Sequence, residues 1–179
     1  EVWSKLCINK FAILNESKEV ILSELDKVIH SRYVRSSLNL LMSSGLLGVL
    51  IPELSLQKNY DQNTPYHDFT LWEHTLNEVE ADHPEQLDLR WSALMHDVAK
   101  PFTRTEKANG CSGYRGHELL GSEMVIRICN YLNFPQSRTD YITDIVRYHL
   151  NPGSPLKKYD DEGKKIKQNI QATQVVTIS

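Results

Sequence analysis

His96 and Asp97 stand side by side in Leu94-Met95-His96-Asp97-Val98-Ala99-Lys100-Pro101, an imidazole nitrogen next to a carboxylate at the end of an apolar run. That pairing suits a borderline divalent metal such as Mn, Fe, Co, Ni or Zn, with Mg less natural once several histidines ligate. Alone the pair says little, because a hydrogen-bonded His-Asp couple at a helix terminus is an ordinary structural feature. Its weight depends on whether His74, His117 and His149 can join it.

The elements that must position these side chains follow from local pattern. Apolar residues at helical spacing from Leu87 to Met95, closed by Pro101, predict a helix whose last turn holds His96 and Asp97. Neighbouring residues on a helix point about 100° apart, so both reach one ion only from a helix end that faces a cleft. Upstream, Asp68 or Thr70 can cap a helix bearing Leu71, Leu76 and Val79, which puts His74 near its start. Tyr66 and His67 precede that cap, where loop side chains can line the mouth of a cleft. Downstream, Asn109-Gly110 between Thr103–Glu106 and Cys111–Arg115 predicts a small β-hairpin near residues 103–115. Gly116-His117-Glu118 then opens an amphipathic helix with Leu120, Met124, Ile128 and Leu132. Tyr141, Ile142, Ile145, Val146 and Leu150 mark another, with His149 in its last turn.

The first 55 residues read as helical and free of obvious chemistry. Ser17 caps a helix with Val20, Ile21, Leu25, Val28 and Ile29 on one face, Tyr33 to Met42 repeats the pattern, and Gly45 stops it. An intensely apolar piece, Leu46 to Ile51, is interrupted by Pro52, and His30 reads as a surface histidine. The polar stretch Ser55 to Pro65 marks the internal boundary. The expected organisation is a helical section over 1–62 packing on a core domain over 63–152, then a polar tail or linker over 153–179.

Composition bounds the function. A chain of 179 residues with 40% hydrophobic residues can bury a real core. A net charge of −3 gives no global attraction to nucleic acid, so RNA contact must come from local patches. Cys7, Cys111 and Cys129 are odd in number and widely spaced, which argues against a disulfide framework or thiolate zinc knuckle and for a reducing compartment. With no apolar run of membrane-spanning length and no signal-peptide pattern, the expected setting is cytoplasmic, without a membrane partner.

Tyr66-His67-Asp68-Phe69-Thr70-Leu71-Trp72-Glu73-His74-Thr75-Leu76, the segment around His96-Asp97, Tyr114-Arg115-Gly116-His117-Glu118 and Val146-Arg147-Tyr148-His149 together resemble the HD superfamily of metal-dependent phosphohydrolases. More narrowly, the pattern is similar to the HD region of bacterial tRNA nucleotidyltransferases of the CCA-adding and poly(A) polymerase type. The resemblance covers about residues 15–152 and includes the apolar segment Leu46 to Leu54.

What the resemblance implies is an all-α HD-domain helical bundle with the small hairpin. It implies one or two divalent ions, Mn, Ni, Co, Fe or Mg, with His74, His96 and Asp97 holding the first. Asp97 would bridge to a second ion ligated by His117 and His149. Asp97, Lys100 and Arg104 form the implied catalytic set, Lys100 facing the substrate phosphate with Arg104 assisting. The implied substrate is a nucleotide or RNA phosphoester, such as a 2′,3′-cyclic phosphate, with tRNA among the partners.

Two departures qualify the pattern. HD enzymes usually add a distal aspartate, and after His149 the chain offers only Asp160 and Asp161 in a lysine-rich, loop-like stretch, while Asp140 and Asp144 read as structural. The Gly-Ser turn and Asp-Xaa-Asp pair of a nucleotidyltransferase head do not occur, so nucleotide addition by this chain alone is not expected. The favoured function is phosphohydrolysis. The alternatives are a non-catalytic helical tRNA-binding or scaffold module, and a nucleotide-sensing domain.

Overall fold

The computed structural model describes residues 2–63, 69–150, 157–159 and 165–167, and its architecture is helical. Tyr66 and His67, Asp160 and Asp161, and the β-like residues 175–178 lie outside the described residues. In chain order the elements begin with α1 (Val2–Ile8), a 3-10 helix (Lys10–Asn15), α2 (Lys18–His30), α3 (Val34–Ser44), α4 (Leu46–Leu50) and α5 (Pro52–Ser55). They continue with α6 (Leu71–Ala81), α7 (Leu87–Met95), α8 (Lys100–Thr103), β1 (Thr105–Glu106), β2 (Ser112–Gly113), α9 (His117–Tyr131) and α10 (Gln136–Tyr148). Two further strands, β3 (Lys157–Tyr159) and β4 (Lys165–Lys167), pair antiparallel within the stretch expected to be a tail or linker.

The caps form where the sequence places them. Ser17 Oγ accepts from the Val20 N–H at 3.3 Å and Thr70 Oγ1 from the Glu73 N–H at 3.2 Å, each satisfying an otherwise orphaned helix donor. The hairpin forms with Thr105 opposite Gly113 and Glu106 opposite Ser112, its turn closed by the Lys107 N–H donating to the Cys111 carbonyl at 2.8 Å. Val20, expected on the buried face of α2, is instead exposed, and Leu22 takes its place beside Ile21, Leu25 and Ile29. The apolar stripe is simply rotated by part of a turn.

α7 is the hub, packed against α2, α6 and α10. Trp91, Ala93, Leu94 and Met95 on it are buried in one apolar cluster that runs from Ile21 to Val146 and so draws on both sides of the Ser55–Pro65 stretch. Arg90 is buried too. It donates to the carbonyls of Asp82 at 2.9 Å, Ile29 at 2.9 Å and Ser31 at 3.0 Å, which places a cation at the C-terminus of α2 where backbone acceptors are unpaired. α9 runs close past the turn that follows α7. A Cβ added to Gly121 would touch Val146 at 3.4 Å, Ala99 at 3.7 Å and the His96 carbonyl at 3.8 Å.

Candidate metal centre

Helix ends deliver most of the ligand candidates. His74 lies in the second turn of α6, His96 and Asp97 in the turn immediately after α7, His117 is the first residue of α9, and His149 caps the C-terminus of α10. His117 follows Gly116 at φ 84°, a left-handed conformation that a side chain would strain and that turns the chain sharply into α9. All four histidines and Asp97 are buried.

Three of the histidines are fixed by the same local device. The Nδ1–H of His96 donates to the Ala93 carbonyl at 2.7 Å, that of His117 to Tyr114 at 2.6 Å, and that of His149 to Val146 at 2.7 Å, each three residues back. With Nδ1 protonated in this way, the neutral imidazole presents a lone pair at Nε2. Burial pushes His149 down to about 4, so it is neutral at neutral pH.

These Nε2 atoms converge on one carboxylate. Asp97 Oδ2 lies 3.2 Å from His74 Nε2 and 2.9 Å from His96 Nε2, and Oδ1 lies 3.1 Å from His117 Nε2 and 3.9 Å from His149 Nε2. Within each half the two Nε2 atoms are 3.1 Å apart, His74 with His96 and His117 with His149. Although burial alone would raise it, the polar surroundings of the Asp97 carboxyl hold it well below the usual carboxylate range.

The donor chemistry fits a cation in each half. His117 and His149, each with Nδ1 committed to a carbonyl, face one another with Nε2 lone pairs across 3.1 Å, which repel unless a positive centre lies between them, and His74 and His96 stand at the same separation. Two nitrogens bound to one ion at about 2.1 Å with a right angle between them lie about 3.0 Å apart, close to the observed separation. His74, His96 and Asp97 form one group able to hold an ion, and Asp97, His117 and His149 form a second. Asp97 belongs to both.

The polar residues around the ligands divide less evenly. Lys100 Nζ reaches Asp97 Oδ2 at 2.7 Å and Gln62 Oε1 at 2.9 Å, inside the centre. Arg104 is exposed at the rim, donating to the Asp61 carbonyl at 3.2 Å and lying over the Tyr60 ring, so the structure separates the two cations that the sequence pattern grouped. Glu78 stands 3.9 Å from His74 Nδ1 and Glu118 stands 3.7 Å from His117 Nδ1, behind the ligands. Burial pushes Glu78 up to about 6. Glu78, Glu118 and Gln62 were not singled out in the sequence. Glu78 follows His74 by one helical turn, a legible signal, whereas Gln62 lies among turn formers and carries none.

Comparison with known proteins adds a lineage to this geometry. The HD domain family model matches residues 71–178. The chain belongs to the HD domain family. A second family model, the probable RNA and SrmB-binding site of polymerase A, matches residues 1–57. The chain is 34% identical to a CC-adding tRNA nucleotidyltransferase of Thermus thermophilus over 75% of its own length and 32% of the relative's. It is 28% identical to an A-adding tRNA nucleotidyltransferase of Deinococcus radiodurans, over 74% and 31% respectively. A bifunctional uridylyltransferase/uridylyl-removing enzyme of Novosphingobium aromaticivorans is 27% identical over 65% of this chain and 14% of the relative. This HD chain thus spans about a third of the length of the tRNA nucleotidyltransferases it matches. Among the described residues, no helix is long and apolar enough to cross a membrane.

Proposed function

We propose that this HD domain is a metal-dependent phosphohydrolase acting on a nucleotide or RNA-end phosphoester, a 2′,3′-cyclic phosphate being a fitting example. The observation that carries this reading is Asp97, an ionised carboxylate at the meeting point of two pairs of histidine Nε2 atoms. His74, His96 and Asp97 would hold one divalent ion, and Asp97, His117 and His149 a second, with Mn, Fe, Co or Ni suited to this nitrogen-rich set. Bound there, such an ion supplies a water acidified toward neutral pH and polarises a phosphoryl oxygen.

The protein's own residues do the remaining work. The carbonyl bonds at Nδ1 lock the three ring orientations, so the ligands need no reorganisation. Lys100, half-buried beside Asp97, offers a cation to the equatorial oxygens as charge builds on them. Arg104, at the rim, steers the anionic substrate inward rather than touching the reacting phosphorus.

RNA contact is the second component. The match of residues 1–57 to an RNA-binding family model and the tRNA nucleotidyltransferase relatives support RNA, tRNA included, as the substrate's source. They also support the competing role of a non-catalytic tRNA-binding module. The deciding experiment is metal analysis of untagged protein combined with phosphate-ester turnover on 2′,3′-cyclic nucleotides and nucleotide monophosphates. One or two equivalents of metal, with turnover abolished in His96→Ala and Asp97→Ala, is the expected result. Absence of both metal and turnover after supplying Mn, Ni or Co would leave only the RNA-binding role.

A further inference from the structure

Asp61, Gln62 and Asn63 lie in a stretch whose composition suggests a spacer, yet each is tied to the hairpin side of the metal centre. Arg104 donates to the Asp61 carbonyl at 3.2 Å, the Tyr114 hydroxyl donates to the Gln62 carbonyl, and the Ser112 N–H donates to the Asn63 carbonyl at 2.9 Å. The Asn63 side chain donates to the Gly110 carbonyl at 3.0 Å, and its own N–H donates to Asp61 Oδ1 at 2.8 Å. Asn63 also takes a left-handed φ of 46°, which asparagine tolerates in turns. The segment is therefore held in place by Ser112 of β2, by Gly110 in the hairpin turn, and by Arg104 and Tyr114 on either side of the hairpin.

Its product is a buried glutamine aimed at the centre. Gln62 is 0% exposed, and Lys100 Nζ donates to its Oε1 at 2.9 Å while also lying 2.7 Å from Asp97 Oδ2. A lysine has donors only, so the Gln62 carbonyl must face it and the amide nitrogen must turn the other way. That nitrogen is buried and finds no acceptor among the described residues. A buried N–H without a partner is costly, and such groups persist where a ligand or water completes them.

We propose that Gln62 is a substrate-binding residue of this site, its amide N–H donating to a non-bridging oxygen of the phosphoester while its carbonyl holds Lys100 in place. The proposal rests on the phosphohydrolase reading and deepens it. A neutral donor beside a charged one suits an anionic group with several acceptor oxygens, which is what a phosphate presents.

Inorganic phosphate is the probe, titrated calorimetrically into the Mn-loaded 179-residue chain, with 2′,3′-cyclic AMP turnover followed in parallel. Gln62→Glu keeps an acceptor for Lys100 but replaces the donor with an acceptor, and Gln62→Met removes both. Phosphate affinity is expected to fall about tenfold or more in Gln62→Glu, with metal content and melting temperature retained and KM moving more than kcat. Should Gln62→Met fold poorly, the near-isosteric Gln62→Glu still decides the matter. Phosphate affinity unchanged in Gln62→Glu overturns the proposal, as does a metal-loaded wild type that binds no phosphate. Phosphate binding that depends on Gln62 without turnover of any ester would keep the assignment and overturn the hydrolase alone.

Discussion

Two polar clusters are set into this bundle, and α10 serves both. Near its start Arg138 donates to Asp26 at 2.7 and 2.9 Å and to Asp88 at 2.7 Å, while Trp91 Nε1 adds a bond to Asp26 Oδ1 at 2.7 Å. At its end, about 16 Å further along at 1.5 Å per residue, His149 faces His117 across 3.1 Å. In the first cluster every guanidinium nitrogen meets a carboxylate oxygen, so the group is complete as it stands. In the second, four imidazole Nε2 atoms crowd around the Asp97 carboxylate, those of His117 and His149 facing each other as acceptors, an arrangement that suits a cation. The difference teaches that burial of polar groups is not itself a sign of function; a surplus of one hydrogen-bonding sense is.

The largest effect that tests this contrast is metal-linked stability. An ion bound a thousandfold above its Kd should stabilise the fold by about 4 kcal/mol, and chelation should remove that increment. Thermal melts with Mn and with EDTA should differ in the wild type and coincide in Asp97→Ala. A melt insensitive to metal would remove the distinction between the clusters. Arg138→Met should act oppositely, lowering stability by about 2 kcal/mol, between the values for exposed and fully buried pairs, with metal content of the folded protein unchanged. Urea denaturation and metal analysis of the same samples check it.

Asp82 offers a sharper, intermediate case. Burial raises its carboxyl to about 6, only partly opposed by Arg90, and its Oδ2 finds no partner among the described residues. The folded state therefore holds the proton more tightly than the unfolded chain, and the stability this contributes is present below about pH 4 and lost as pH rises through about 6. Asp82→Asn should then be more stable than wild type at pH 8, on the order of 2 kcal/mol, with the gain vanishing by pH 4. Paired urea titrations at the two pH values decide it, and a gain independent of pH would assign the effect to packing instead. The smallest expected effect is at Gly121, where a methyl group meets only ordinary contacts. Gly121→Ala should be neutral or stabilising by up to about 1 kcal/mol, whereas Gly121→Val, with branches directed at the His96 turn, should destabilise. Melting temperatures of the two variants give the comparison.

The five side chains that converge on the centre were legible because each sits at a punctuation mark: Thr70 before His74, Pro101 after the His96-Asp97 turn, Gly116 before His117, and the end of an apolar stripe at His149. Periodicity and caps act over a few residues, so helix ends can be read without knowing the fold, and the hairpin at Asn109-Gly110 was open to the same logic. Gln62, Arg90 and the exposed Val20 were not, and neither was the pairing of β3 with β4 in a stretch expected to be a linker.

By itself, then, the sequence determined the helices, their stops and the histidines and aspartate carried at them, since those depend on near neighbours in the chain. Only the tertiary structure decided that two pairs of Nε2 atoms meet on opposite oxygens of Asp97, that Lys100 enters the centre while Arg104 stays at its rim, and that Gln62 is buried beside them. Those outcomes turn on distances between residues 20 to 50 positions apart, such as the 22 between His74 and His96 and the 38 between Gln62 and Lys100, and no local propensity encodes them.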